Sequence, residues 1–355
     1  MRAVRFHNAK DIRVEDVPAP SGDLGPDEVL VRPGACGICG TDLHEYVAGP
    51  IVTPEAPHIY TGATNPQILG HEFGAVVEAV GSDITHVKPG DRISAQPLIS
   101  PRDDYFARRG QYHLSDKMAC VGLSWAWGGM AEQAVLPSYC AQPVPDNLTD
   151  DQAAMIEPAA VAMYGVDRGQ IGAGSTVLVS GAGPIGALTV ICARAAGASL
   201  IIVSEPNPNR RRIIQGIDPA VVVVDPAKDN AGDVARDLTE DHVGVDVALE
   251  CVGLEVSLNT CVDAVRRGGK VVQVGLHIKP ASIDAMLWAL KDISVEATWC
   301  YPTYVWPRIA GLIAAGQLPV EKVITGRIEA ENVVDQGFEA LLDPSGEHLK
   351  ILVST

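Results

Sequence analysis

At 355 residues the chain is too long for one ordinary hydrophobic core, so two domains are expected. Its 47% hydrophobic and 20% charged residues suit a globular protein, and no apolar run approaches the roughly 18 residues of a membrane helix. A formal charge of −17, from 44 acidic against 27 basic residues, repels a phosphate backbone and argues against nucleic acid as a partner. Met1 to His7 contains no apolar signal core. Eight dispersed cysteines then read as reduced thiols, and a cytoplasmic location is expected.

From 1 to 151 the chain is rich in Gly, Pro and short β-branched runs. Segments 28–32, 74–81 and 91–95 read as strands of an irregular β-rich domain, a partial barrel. The stretch 49–66 carries four prolines and no clear period, which predicts a surface loop. From 152 the texture changes: apolar strands at 176–180, 200–204, 221–225, 245–250 and 270–274 alternate with helical stretches, the first at 188–196. Repeated βα units with continuous apolar strands predict a parallel, doubly wound sheet. Past about 295 the texture is mixed again and ends in a strand-like 350–354. The expected class is α/β: a Rossmann sheet over 152–294, and a discontinuous β-rich domain made of 1–151 and 295–355.

Gly181-Ala182-Gly183-Pro184-Ile185-Gly186 directly follows the first of those strands and opens a helix. Gly181 permits the tight turn, Gly183 admits a pyrophosphate, and Gly186 lets helix and strand pack closely. Amide groups at the helix N-terminus then face the phosphates. Glu205, at the end of the second strand, suits the ribose hydroxyls of NAD and repels the 2′-phosphate of NADP. Arg210, Arg211 and Arg212 complicate this, since a nearby Arg can accommodate that phosphate; the plainer reading makes them solvated helix residues.

Cys39 lies in Gly37-Ile38-Cys39-Gly40-Thr41-Asp42-Leu43-His44, His71 in Gly70-His71-Glu72, and Glu157 in Ile156-Glu157-Pro158. Thiolate, imidazole and carboxylate are the mixed donors of a catalytic zinc, where three protein ligands leave a fourth position open. A metal that polarises an alcohol, beside a nucleotide that accepts hydride, defines an alcohol dehydrogenase. Plainer uses compete with each assignment. Cys36 and Cys39 form a CxxC, although the flanking residues are not those of a redox motif. His71 alone reads as a structural histidine, and Glu157 alone as a carboxylate at a helix start. Glu72 can ligate directly, alternate with water, or orient the site from behind.

The chain resembles the zinc-dependent medium-chain alcohol dehydrogenases, most closely the 2,3-butanediol dehydrogenase group, with sorbitol dehydrogenases as nearby relatives. The likeness runs end to end, through 49–58, Gly70-His71-Glu72-Phe73-Gly74, Gly128-Gly129-Met130-Ala131-Glu132, Glu250-Cys251-Val252-Gly253, Val274-Gly275-Leu276-His277 and 337–344. It implies a GroES-like catalytic domain, with Cys39, His71 and Glu157 as zinc ligands, Glu157 directly or through water. It further implies Thr41 as the hydroxyl at the substrate oxygen and His44 as the proton's route to solvent. Arg210 would lie beside Glu205 at the adenosine ribose, and the segments 274–276 and 298–300, including Cys300, would flank the nicotinamide.

Many relatives bind a second, structural zinc with four cysteines. The matching positions here are Pro101, Asp104, Ala107 and Ser115, so one zinc per chain is expected. That lobe is expected to hold by packing of Tyr105, Phe106 and Tyr112, with Arg102, Arg108 or Arg109 paired to Asp103 and Asp104. The function implied is NAD-dependent oxidation of a secondary alcohol or vicinal diol, of the butanediol–acetoin type, by a homodimer or homotetramer. Polyol or cyclic-alcohol oxidation on the same machinery is the nearest rival. A non-catalytic nucleotide binder or a zinc-free reductase is not expected to keep Cys39, His71 and Thr41 together.

Overall fold

Six strands in the middle of the chain form a wholly parallel sheet. Across it they run Val222–Val224, Leu200–Ser204, Thr176–Ser180, Val245–Glu250, Val265–Gln273 and Ser294–Ala297. The computed structural model describes residues 1–355. Numbered in chain order the strands run 3-2-1-4-5-6, the doubly wound arrangement. Val177 and Val179 join one apolar cluster and Leu178 another; Ile201 and Val203 are likewise divided from Ile202. Both faces are covered, so the strands are apolar without alternation. Burial of each such side chain contributes roughly 1.5–3 kcal/mol.

The first crossover helix, Pro184–Ala196, begins four residues before the apolar run at 188–196. Proline is well placed in a first helical turn, where its missing N–H costs nothing. Gly197, in the left-handed region at φ 103°, ends the helix. The sixth strand, Ser294–Ala297, crosses the expected 294/295 boundary: this edge strand is mostly exposed and carries no apolar run to announce it.

The second large sheet has seven strands, centred on Glu28–Gly37. Glu72–Val80 pairs with it antiparallel, as do Ala134–Pro137 and the final strand Lys350–Ser354. Ile324–Glu329 lies parallel to that last strand, so the C-terminus returns to the N-terminal sheet. Register matters here. Gly37 faces Glu72 on one side and Leu352 on the other, which draws Glu72 and the start of the last strand together. Strands Arg2–Asn8, Asp11–Asp16 and Gln67–Ile68 form a small separate sheet.

The lobe at 101–117 departs from expectation in its charges. Arg108 donates to the Asp103 carbonyl at 2.7 Å, and Arg109 donates to the Tyr105 carbonyl while covering its ring at 3.9 Å. Asp104 instead accepts the N–H groups of Phe106 and Ala107, at 2.8 and 3.2 Å. Backbone groups of a tight turn are nearer than any facing carboxylate and take the donors first. Tyr112 is buried against Tyr139, edge to face at 5.4 Å, whereas Tyr105 is largely exposed. No helix is long and apolar enough to cross a membrane.

Candidate active site

Cys39 stands at the N-cap of the helix Gly40–Ala48. Asp42, at the third helical position, accepts the Cys39 backbone N–H at 2.9 Å through Oδ2. Its Oδ1 lies 3.7 Å from Nδ1 of His71, and both of these buried atoms lack a hydrogen-bond partner. The ligating atoms of Cys39, His71 and Glu72 all fall within 4.8 Å of one another. Burial and the nearby Glu72 carboxylate raise the Cys39 thiol above its usual range. Burial disfavours charge on His71, yet Asp42 and Cys39 hold its pKa well above normal. Such a cluster fits a cation, which deprotonates a liganding thiol and takes an imidazole whose other nitrogen faces a carboxylate.

Glu72 is buried and paired to Lys350, whose Nζ lies 2.9 and 2.6 Å from its two oxygens. Glu157, near the start of the helix Ile156–Gly169, stands outside the tight trio. Its Oε1 accepts a 2.7 Å hydrogen bond from the buried Tyr301 hydroxyl. Burial first, and then the Glu72 charge, push its pKa up to about 7. Thr41 is half-buried in the first turn and His44 is exposed one turn on, so the two share a helix face. Asp42, Lys350 and Tyr301 were not foreseen as parts of the site. Asp42 lies three residues after Cys39 in Gly37–His44, and that spacing is the signal the sequence carries for it.

At the nucleotide fingerprint the three glycines do different work. Gly181 has φ 98°, which a side chain rarely adopts. A Cβ on Gly186 would lie 2.0 Å from the Gly181 carbonyl oxygen, whereas one on Gly183 would meet nothing within 4 Å. That open space over the N-terminus of the helix Pro184–Ala196, with Ile185 in its first turn, fits a pyrophosphate. Glu205 is buried, its oxygens accepting Ala182 N–H at 2.7 Å and Asn207 N–H at 2.8 Å. Arg211 is spent on Asp225 at 3.0 Å and Arg212 on Asn209, whereas Arg210 Nε has no partner. Val274 and Gly275 donate their N–H groups to the Glu250 carbonyl, each at 2.8 Å; Leu276 is partly exposed. Cys300 holds the left-handed φ of 46°.

A sulfur, nitrogen and oxygen cluster in a β-rich lobe, set beside a doubly wound nucleotide sheet, defines a zinc- and nicotinamide-dependent dehydrogenase. Comparison with known proteins makes this specific. The family model for the alcohol dehydrogenase GroES-like domain matches residues 25–146, and that for zinc-binding dehydrogenase matches 184–315. A curated (R,R)-butanediol dehydrogenase of Neisseria gonorrhoeae is 35% identical, covering 100% of this chain and 99% of its own. Human sorbitol dehydrogenase is 31% identical over 98% of this chain and 94% of its own. The crystal structure of 2R,3R-butanediol dehydrogenase from Bacillus subtilis superimposes with a TM-score of 0.92 at 33% identity, covering 100% and 99%. A Sinorhizobium meliloti structure bound to NADP gives 0.88 at 31% identity, again covering 100% and 99%. The chain belongs to the zinc-dependent medium-chain alcohol dehydrogenase family.

Proposed function

We propose that the protein oxidises secondary alcohols, vicinal diols above all, with NAD, and reduces the matching ketone of the acetoin type in reverse. The observation that carries this is the Cys39–His71–Glu72 cluster within 4.8 Å, in a chain alike end to end to two butanediol dehydrogenases. Cys39 and His71 would hold the zinc, with Glu157 or Glu72 as the carboxylate ligand. When bound, the zinc supplies Lewis acidity at the alcohol oxygen and the nicotinamide takes up the electron pair. Thr41 Oγ1 accepts the hydroxyl proton as its own proton moves on toward His44, which is exposed on the same helix face and passes it to solvent. Asp42 orients the His71 ring from behind.

Glu205 favours NAD, because a carboxylate at the end of the second strand repels a 2′-phosphate. Arg210 then lies at the adenosine ribose, with 274–276 and Cys300 toward the nicotinamide. One zinc per chain is proposed: Pro101 and Ala107 offer no donor, and Asp104 is engaged by two backbone amides. The working division is a β-rich catalytic domain from 1–151 and the C-terminal residues, around a central coenzyme domain.

A homodimer or homotetramer is supported by the unpaired edge strand Ser294–Ala297, with exposed Met286, Leu290 and Trp299 close to it in sequence. Eight free cysteines accord with the cytoplasm. The likeness to human sorbitol dehydrogenase favours polyols as a second reading. A spectrophotometric screen of diols, polyols and simple secondary alcohols, each with NAD and with NADP, tests both. Highest kcat/KM for 2,3-butanediol with NAD is expected. A higher value for ethanol than for any secondary alcohol overturns the substrate class, and equal use of NADP overturns the role of Glu205.

A further inference from the structure

Glu250 ends the strand beside the fingerprint strand and is fully buried. Its Oε1 accepts the N–H groups of Val252 at 2.8 Å and Gly253 at 2.9 Å, together with the Ser257 hydroxyl. Its Oε2 faces Nε2 of His277 at 3.2 Å, the one side-chain nitrogen set against this carboxylate. Its own carbonyl takes the N–H groups of Val274 and Gly275. One residue thus gathers the turn 251–253, the following helix Glu255–Ala264 and the segment 274–277. A buried polar group with every oxygen engaged is a rigid junction.

The segments joined there are packed too closely to shift independently. A Cβ on Gly253 would lie 2.3 Å from the Leu276 carbonyl oxygen, and one on Gly275 only 2.3 Å from Gly253 N and 2.7 Å from Glu250 Oε2. They also abut the fingerprint, since a Cβ on Gly181 would lie 2.5 Å from Val252 Cγ2. A dinucleotide spans the carboxyl ends of a doubly wound sheet, one mononucleotide on each side of the switch point. Glu205 marks the adenosine side. The other half therefore lies over the carboxyl ends of Val245–Glu250 and Val265–Gln273, where Glu250 makes its junction. Val274 also reaches the helix that carries Glu157: a Cβ on Gly165 would lie 2.8 Å from Val274 Cγ2.

We infer that the Glu250–His277 pair is a clamp that sets the bed of the nicotinamide half of the coenzyme, with His277 as a positioning residue. The inference rests on the coenzyme reading above. His277 lies apart from the metal cluster and the fingerprint. With Gln273, Lys279 and Trp288 it borders an open cleft of about 490 Å³, and its removal leaves Glu250 Oε2 without that partner.

The test uses the full-length, zinc-loaded enzyme with His277→Ala, His277→Gln and, independently, Ser257→Ala, which removes a donor from the other oxygen. Binding of NADH is measured by fluorescence and binding of ADP-ribose, which lacks the nicotinamide, by calorimetry. His277→Ala is expected to weaken NADH about tenfold, the loss of one charge-assisted hydrogen bond, and ADP-ribose less than about twofold. Gln, which keeps an N–H donor, is expected to restore NADH to within about threefold, and Ser257→Ala to weaken NADH selectively. Equal weakening of both ligands, or unchanged NADH binding in both His277→Ala and Ser257→Ala, overturns the clamp. An unmodified enzyme that binds neither ligand overturns the coenzyme reading instead.

Discussion

Lys350 Nζ lies 2.6 and 2.9 Å from the two carboxylate oxygens of Glu72, and both side chains are almost wholly buried. The same ammonium donates to the Ile38 carbonyl at 2.9 Å, one residue before Cys39. Burial opposes the charge on Lys350, but Glu72, Cys39 and Glu157 together outweigh it and raise the lysine's pKa. The last strand of the chain thereby fixes one member of the Cys39–His71–Glu72 cluster.

Breaking that pair is costly, because the remaining charge is left buried. Lys350→Met is expected to lower the free energy of unfolding by about 3–5 kcal/mol. Combining it with Glu72→Gln should recover most of the loss, since no charge is then stranded. Denaturant titration of the three variants measures this, and a loss below about 1 kcal/mol for the single change contradicts it.

Gly37→Ala tests the same corner from the facing strand. A Cβ there would stand 2.2 Å from Glu72 Oε2, so the carboxylate must leave its place. Bound zinc and alcohol oxidation should both fall sharply, while ADP-ribose binding stays within about twofold because the parallel sheet is untouched. Unchanged zinc content would show that Glu72 has no part in holding the metal.

Two fingerprint glycines should respond in opposite ways. Gly183→Ala meets no atom, and φ is −69°, so stability is retained or rises slightly by about 0.4–1 kcal/mol. The methyl occupies the pyrophosphate's space, and NADH and ADP-ribose should both weaken more than about tenfold. Gly186→Ala puts its Cβ 2.0 Å from a backbone oxygen and should lose about 1–3 kcal/mol of stability. Calorimetry and thermal unfolding of the two variants separate these outcomes.

His113 gives the fold an acid-sensitive point away from the chemistry. Burial lowers its pKa to about 4, with its ring edge-on to Tyr164 at 5.9 Å and Nδ1 unpartnered. The unfolded chain holds this proton from about pH 6.5 downward and the folded chain only near 4. Stability is therefore complete above about 6.5 and declines as the pH falls toward 4. His113→Phe keeps the aromatic contact without a proton to bind, and its unfolding free energy should fall less steeply over that window. Parallel acid limbs would contradict the assignment.

Much of this was legible in the sequence, for local reasons. The strands at 176–180, 200–204 and 245–250 match observed elements, because two-sided burial writes a continuous apolar run. The fingerprint reads well because each glycine answers a separate steric demand. What escaped notice depends on register and tertiary pairing. Lys350 meets Glu72 across 278 residues and Tyr301 meets Glu157 across 144, and nothing near either residue announces its partner. The edge strand Ser294–Ala297 is too exposed to carry an apolar signature. The strand Arg2–Asn8 does carry one, with Val4 and Phe6 buried at alternate positions. In the 101–117 lobe, carbonyls rather than carboxylates take Arg108 and Arg109, and Arg102 covers the Tyr139 ring, choices that composition does not record.

The central claim is that one zinc, held by Cys39 and His71 with a nearby carboxylate, supports NAD-dependent alcohol oxidation. Elemental analysis and turnover of 2,3-butanediol should be measured together on extensively dialysed unmodified protein and on Cys39→Ala. The account predicts one zinc per chain and activity in the unmodified enzyme. It predicts loss of both in the variant, with NADH binding retained, because the nucleotide fingerprint lies on a separate sheet. Near-normal oxidation by metal-free Cys39→Ala protein would contradict it.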